Sequence, residues 1–139
     1  MSRQSVILLN GPSGVGKDTI GQFIIEAFGV LNARTMKFAS PVKESIPTLL
    51  GLERNWRDLE KVKNHEKFYG RTFREWQILL SEEFLKRFAG QEIFGKIFLS
   101  NLAKVREPII VVTDCGFAPE YEHVLQTHGA ADTFLIRSG

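Results

Sequence analysis

The stretch from Ser5 to Thr19, Ser-Val-Ile-Leu-Leu-Asn-Gly-Pro-Ser-Gly-Val-Gly-Lys-Asp-Thr, limits this chain more than any other. A short apolar run with β-branched members, Ser5 to Leu9, meets Asn10-Gly11-Pro12 and reads as a buried parallel strand ending in a turn. After the loop, apolar residues recur at Ile20, Phe23, Ile24, Ala27 and Phe28, a spacing that predicts a helix with these residues on its inner stripe and Gly29 as its stop. Between strand and helix, Gly11 to Lys17 follows the pattern GxxxxGK. Glycines let the loop amides turn inward as an anion nest, the helix N-terminus adds partial positive charge, and Lys17 has the reach for β and γ phosphates. Gly11, Ser13, Gly14, Val15, Gly16, Lys17, Asp18 and Thr19 are therefore the expected contacts for a nucleoside triphosphate.

The residue after the lysine is Asp18, where a Ser or Thr hydroxyl normally ligates magnesium. A carboxylate also serves a hard cation, directly or through water, and equally is a favourable charge in a first helical turn. Thr19 points roughly 100° further round the helix, so it is the weaker choice for a ligand. Asp114 closes the apolar run Pro108 to Thr113, at the carboxyl end of a strand, where ligands collect on parallel sheets. It reads either as a second metal or water-positioning carboxylate, or as a turn aspartate.

Along the rest of the chain, strands and helices alternate. Strands are predicted at Arg34 to Ala39, Pro108 to Thr113 and Thr133 to Ile136. Helices are predicted from Ser40-Pro41, as N-cap and first helical position, to Leu52, and then over Thr72 to Ala89, Glu92 to Val105 and Pro119 to His128. In the second of these, Phe73, Trp76, Leu80, Phe84 and Phe88 form an expected core stripe. Between Glu53 and Arg74, the cations Arg54, Arg57, Lys61, Lys63, Lys67, Arg71 and Arg74 stand among Trp56, Phe68 and Tyr69. This segment suits an anionic small molecule as well as it suits a solvated face. The expectation is an α/β fold of three layers with a parallel sheet flanked by helices, a single domain over 1–139. Its core would be 1–40 and 106–139, with 41–105 a helical insertion.

Composition narrows the function. A formal net charge of +2, interspersed along 139 residues, argues against polymeric nucleic acid. The longest N-terminal apolar run is far too short for a membrane span. One cysteine, Cys115, makes no internal disulfide, which fits a reducing, cytoplasmic setting; it reads as a buried small residue. His65, His123 and His128 have no metal-ligand spacing and read as surface residues. Small-molecule nucleotides are the expected partners, and the oligomeric state, monomer or homodimer, stays open.

Four segments together carry a likeness: Gly-Lys-Asp-Thr at Gly16–Thr19, MKFASPVKESIPTLLGL at Met36–Leu52, RTFREWQILLSEEFLKRFAGQEIFGK at Arg71–Lys96, and VVTDCGFAPE at Val111–Glu120. They resemble the phage-type deoxynucleoside monophosphate kinases, a branch of the P-loop nucleotide kinases. The resemblance implies the P-loop NTPase fold and phosphoryl transfer from ATP, with Mg2+, to a (deoxy)nucleoside monophosphate. It implies donor-phosphate binding by Lys17 and the loop, metal roles for Asp18 and Asp114, and catalytic roles for Lys17, Asp18, Asp114 and Arg74. Lys43 matches the lysine of the family's F-A-x-P-x-K segment; with Arg71 and Arg74 it would hold the acceptor. Relatives with an arginine two residues after the strand-end aspartate differ from this chain, which has Gly116 there. Nucleotide kinases also continue into an arginine-bearing lid and a last strand and helix, so the expected fold lacks these, with Arg137 where a lid would begin. Two other readings are a P-loop kinase for another small acceptor, of phosphomevalonate type, and a non-catalytic ATP-binding module.

Overall fold

A computed structural model of the chain describes residues 4–12, 16–129 and 132–137. Ser13, Gly14 and Val15, three of the expected phosphate contacts, lie outside the described residues. In chain order the elements are β1 (Ser5–Asn10), α1 (Lys17–Phe28), β2 (Ala33–Met36), α2 (Ser40–Leu50), α3 (Trp56–Leu59), α4 (Phe73–Ile78), α5 (Lys86–Ala89), α6 (Ile93–Leu102), β3 (Ile109–Cys115), α7 (Ala118–His128) and β4 (Thr133–Arg137). A 3-10 turn, Glu66–Phe68, precedes α4, and a π-helical stretch, Leu79–Leu85, joins α4 to α5. The chain divides into two compact units, one formed by Met1–Phe38 and Glu92–Gly139, the other by Ala39–Gln91.

The first unit is built on a four-stranded sheet in the order β2-β3-β1-β4, parallel at every pairing. This is the α/β architecture with helices on the sheet faces that the alternation predicted. Residues of one parity, Ile7 and Leu9 of β1 with Ile109 and Val111 of β3, face α1 and form a cluster with Ile24, Ile25 and Ala33. The other parity, Val6, Leu8, Ile110 and Val112, is fully buried. That face belongs to α6 and α7, which pack closely: a Cβ on Gly95 of α6 would stand 2.7 Å from the carbonyl oxygen of Glu120 in α7.

Helix α1 meets the sheet differently from its predicted stripe. Ile20, Phe23 and Phe28 are exposed, while the buried residues are Gly21 and Ile25. The cause is close approach: a Cβ on Gly21 would stand 2.6 Å from Cγ2 of Thr113, so the glycine lets the helix sit directly on β3. Helix α2 begins with Ala39, not Ser40, at its N-cap, and Pro41 lies in its first turn. Strand β3 runs through Cys115, placing Asp114 inside the strand, and β2 is only four residues long. His128 is buried, not at the surface, because it follows Tyr121 and Val124 along the inner stripe of α7; its ring Nε2 donates to the carbonyl of Gln4 at 2.6 Å.

In the second unit, Val42, Ile46, Trp56, Leu59, Phe68 and Phe73 are buried. The N-terminus of α4 has a full capping box, Thr72 with Glu75. Past Ile78 the helical stripe fails: Phe84 and Phe88 are 56% and 75% exposed, not core. The widened π turns over Leu79–Leu85 change the angular step per residue, so residues spaced for an α-helix leave the inward face. Trp76 keeps its place, donating its indole N–H to the Phe68 carbonyl at 2.9 Å. Among the described residues, no helix is long and apolar enough to cross a membrane.

Candidate functional site

Strand β1 ends at Asn10, whose side-chain amide donates to the Cys115 carbonyl at 2.7 Å and ties the carboxyl ends of β1 and β3 together. The β1–β3 ladder shifts register between Leu8 and Asn10, with one extra residue on β3 between Val112 and Cys115, and β1 ends at Asn10, just before Gly11. It re-enters regular structure at Gly16, which caps α1 with φ 85° and ψ 24°. That left-handed conformation is the physical reason for glycine at this position. Among the described residues, no side chain caps the amides at the start of α1. Lys17, the first helical residue, folds its ammonium back over the loop and donates to the Gly11 carbonyl at 2.5 Å. A strand end, a left-handed glycine, a helix start that no described side chain caps and a lysine that reaches back to Gly11 thus lie together at the carboxyl edge of the sheet.

Asp18 occupies the same edge. Its carboxylate pairs with the ammonium of Lys37, just past β2, at 3.1 Å. Partial burial opposes ionisation of Asp18, but the Thr113 hydroxyl, Lys37 and then Lys17 outweigh it and hold the carboxyl below its ordinary value. Thr113 sits beside this carboxylate without reaching hydrogen-bond geometry, and its buried Oγ1 has no hydrogen-bond partner among the described residues. Thr19 is exposed on the next position of the helix. Asp114 has a partner of its own: its Oδ1 accepts from the Phe38 amide at 2.8 Å. That bond fastens the end of β2 to β3, with Phe38 packed edge-on to Phe98 of α6 at 5.2 Å. Cys115 is fully buried, and burial with the neighbouring Asp114 pushes its thiol up to about 12, which makes it chemically inert near neutrality.

The expected acceptor residues lie in the second unit. Lys43 is engaged internally: its ammonium pairs with Glu60 at 2.7 Å and stands 5.2 Å from the centre of the Trp56 ring. Arg71 approaches Glu75 at 3.9 Å, a loose i,i+4 pair with both side chains about half exposed. Arg74 is exposed on the first turn of α4 and forms no ion pair among the described residues. Arg71 and Thr72 also line an open cleft of about 390 Å³ with Asn64, His65, Glu66 and Gly70. Beside it Tyr69 adopts φ 53°, the one non-glycine residue with positive φ among those described, and exposes its ring.

The motif pointed to Lys17 and Asp18, whereas Lys37 and Thr113 were missed. Each follows or ends an apolar run at the carboxyl edge of a parallel sheet, and that position is the signal which could have found them. Compared with known proteins, the chain matches no protein-family model and no curated protein.

Proposed function

We propose that the chain is a P-loop phosphotransferase of the nucleotide-kinase kind, transferring the terminal phosphoryl group of ATP to a (deoxy)nucleoside monophosphate in the cytoplasm. The observation that carries the reading is the β1–α1 junction: Gly16 in the left-handed region, α1 starting with no described side chain as its cap, and Lys17 reaching back to Gly11. A triphosphate is the ligand whose charge and size such a junction fits, because amides at a helix start and one mobile ammonium meet several oxygens at once. Lys17 exchanges the neutral Gly11 carbonyl for a phosphate oxygen, a stronger, charge-assisted bond.

Magnesium suits the same edge. The Asp18 carboxylate is held ionised and largely exposed, and hard oxygen donors of this sort take the ion directly or through its waters. When bound, the ion neutralises charge on the transferring phosphoryl group; the chain's own part is positioning and electrostatics, since phosphoryl transfer demands little covalent chemistry from a protein. Asp114 keeps the ends of β2 and β3 in fixed relation through the Phe38 amide. For the acceptor, Arg74 and Arg71 are the assigned guanidiniums, at and just before the start of α4.

The test is equilibrium binding of a fluorescent ATP analogue, with ADP formation followed against a panel of monophosphates. Lys17→Ala should keep the circular dichroism spectrum and lose most binding and turnover. Unchanged binding in that variant refutes the phosphate site. Monophosphate-stimulated ADP formation separates a nucleotide kinase from an ATP-binding module, which would bind without turnover.

A further inference from the structure

Strand register brings three groups to one place. Met36, the last residue of β2, pairs with Val112, and the residues that follow this pair, Lys37 just past β2 and Thr113 in β3, both come to the Asp18 carboxylate at the carboxyl edge of the sheet. Thr113 touches α1 at Gly21, and Asp18 stands one turn earlier on the same face of that helix. The result is an ammonium, a carboxylate and a hydroxyl converging at the first turn of α1. The ammonium and carboxylate are paired at 3.1 Å. The hydroxyl is the odd member: Thr113 is 3% exposed, and its Oγ1 has no hydrogen-bond partner among the described residues. A buried hydroxyl without a direct hydrogen bond is destabilising, and this one stands beside the Asp18 carboxylate, where a ligand of that carboxylate would also meet it.

We propose that the Asp18 carboxylate and the Thr113 hydroxyl form a site for a hydrated divalent cation, and that in the unliganded protein the ammonium of Lys37 holds that site. This rests on the phosphate-site reading above for its biological use, although the donor set stands independently of it. A hard cation fits because both donors are oxygen, one is anionic, and the rest of an octahedral shell can be water or phosphate. The hydroxyl serves either as a ligand or as acceptor for a metal-bound water, and so acquires the partner it lacks. Lys37 is a competitor because its charge already neutralises Asp18; an arriving cation takes over that duty and releases the ammonium toward anionic ligands. Asp114 is not counted among these donors, since one of its oxygens already accepts from the Phe38 amide.

The experiment titrates the full chain with Mn2+ alone, without nucleotide, reading free ion by electron paramagnetic resonance in about 150 mM salt, where remote charges are screened beyond roughly 8 Å. Lys37→Gln should tighten Mn2+ binding by about fivefold or more by removing the competing charge. Lys104→Gln, an exposed lysine just beyond α6, should not. Added to Lys37→Gln, Thr113→Val should weaken binding about tenfold, whereas Thr113→Ser, which keeps the hydroxyl, should stay close to the parent. Circular dichroism checks that each variant is folded. The proposal is overturned if Lys37→Gln leaves Mn2+ affinity unchanged, if Lys104→Gln has the same effect, or if Thr113→Val binds like its parent. Because no nucleotide is present, these outcomes are separate from the Lys17→Ala assay: either reading can fail while the other stands.

Discussion

Gly21 is the point at which the candidate site depends most on packing, and Gly21→Ala measures that dependence. The added methyl would stand 2.6 Å from Cγ2 of Thr113, against about 3.5–4.0 Å for a comfortable carbon contact. Thr113 is nearly fully buried and β-branched, so it yields little. Overpacking of this kind costs about 1–3 kcal/mol, and a shortfall near 1 Å places it in the upper half of that range. Replacing glycine by alanine in a helix returns about 1 kcal/mol. The net expectation is a loss of about 1–2 kcal/mol, or roughly 4–8 °C in melting temperature for a chain of this size. In a Thr113→Ser background the obstructing methyl is gone, and the remaining neighbour, Val111 Cγ1 at 3.7 Å, is an ordinary contact. There Gly21→Ala should be neutral or stabilise by up to about 1 kcal/mol. A double-mutant cycle by urea denaturation, followed by far-ultraviolet circular dichroism, should therefore give a coupling of about 1–3 kcal/mol. An equal cost of Gly21→Ala in both backgrounds would refute the view that α1 is seated on β3 through this contact.

Other expectations are narrower. Cys115 should resist a thiol reagent at pH 8 in the native protein and react fully in urea; rapid native reaction would contradict its burial. Its folded pKa, about 12, exceeds the 9.0 of the free thiol, so the unfolded chain ionises first. The stability due to the protonated thiol is thus intact below pH 9.0 and declines from there toward about 12, as alkaline melting curves should record. His128→Phe keeps an aromatic ring, a somewhat larger one, but leaves the Gln4 carbonyl without its donor, for a loss of about 1–2 kcal/mol in urea titrations; no loss would mean the bond contributes nothing. Arg74→Lys keeps charge but loses the planar fork, so the Michaelis constant for the monophosphate should rise about tenfold with that for ATP unmoved. A defect confined to ATP would move Arg74 to the donor side.

The sheet was readable in the sequence because buried parallel strands are continuous apolar runs, and Ser5–Asn10 and Ile109–Cys115 fall close to where those runs lie. Helix faces were harder. A hydrophobic stripe counts side chains, yet α1 packs where a side chain is missing, at Gly21, and its bulky residues Ile20, Phe23 and Phe28 stay outside. Phe84 and Phe88 misled for another reason: a π stretch cannot be seen in a periodicity that assumes 3.6 residues per turn. His128 was placed outside because polar identity was weighed above its position on the stripe of α7. In the site, Lys17 and Asp18 stand within one local motif and could be read directly. Lys37 and Thr113 are 76 positions apart and meet only because β2 lies beside β3, and strand order is not a local property.

The internal partners of the lysines suggest how the site discriminates among ligands. Lys17 rests on a neutral carbonyl, that of Gly11, whereas Lys37 rests on the carboxylate of Asp18. These two contacts differ in what their loss leaves behind. When a phosphate takes Lys17, the abandoned carbonyl can return to water at little cost, since it bore no charge. When an anion takes Lys37, the abandoned carboxylate remains as a negative charge beside the incoming phosphates, and like charges a few ångströms apart repel by about 1–4 kcal/mol at the dielectric of a protein surface. Lys37 can therefore turn to an anionic ligand only if another cation replaces it at Asp18. On the proposed function, Lys17 would serve any phosphate, while the Asp18–Lys37 pair would favour a phosphate that arrives with its metal.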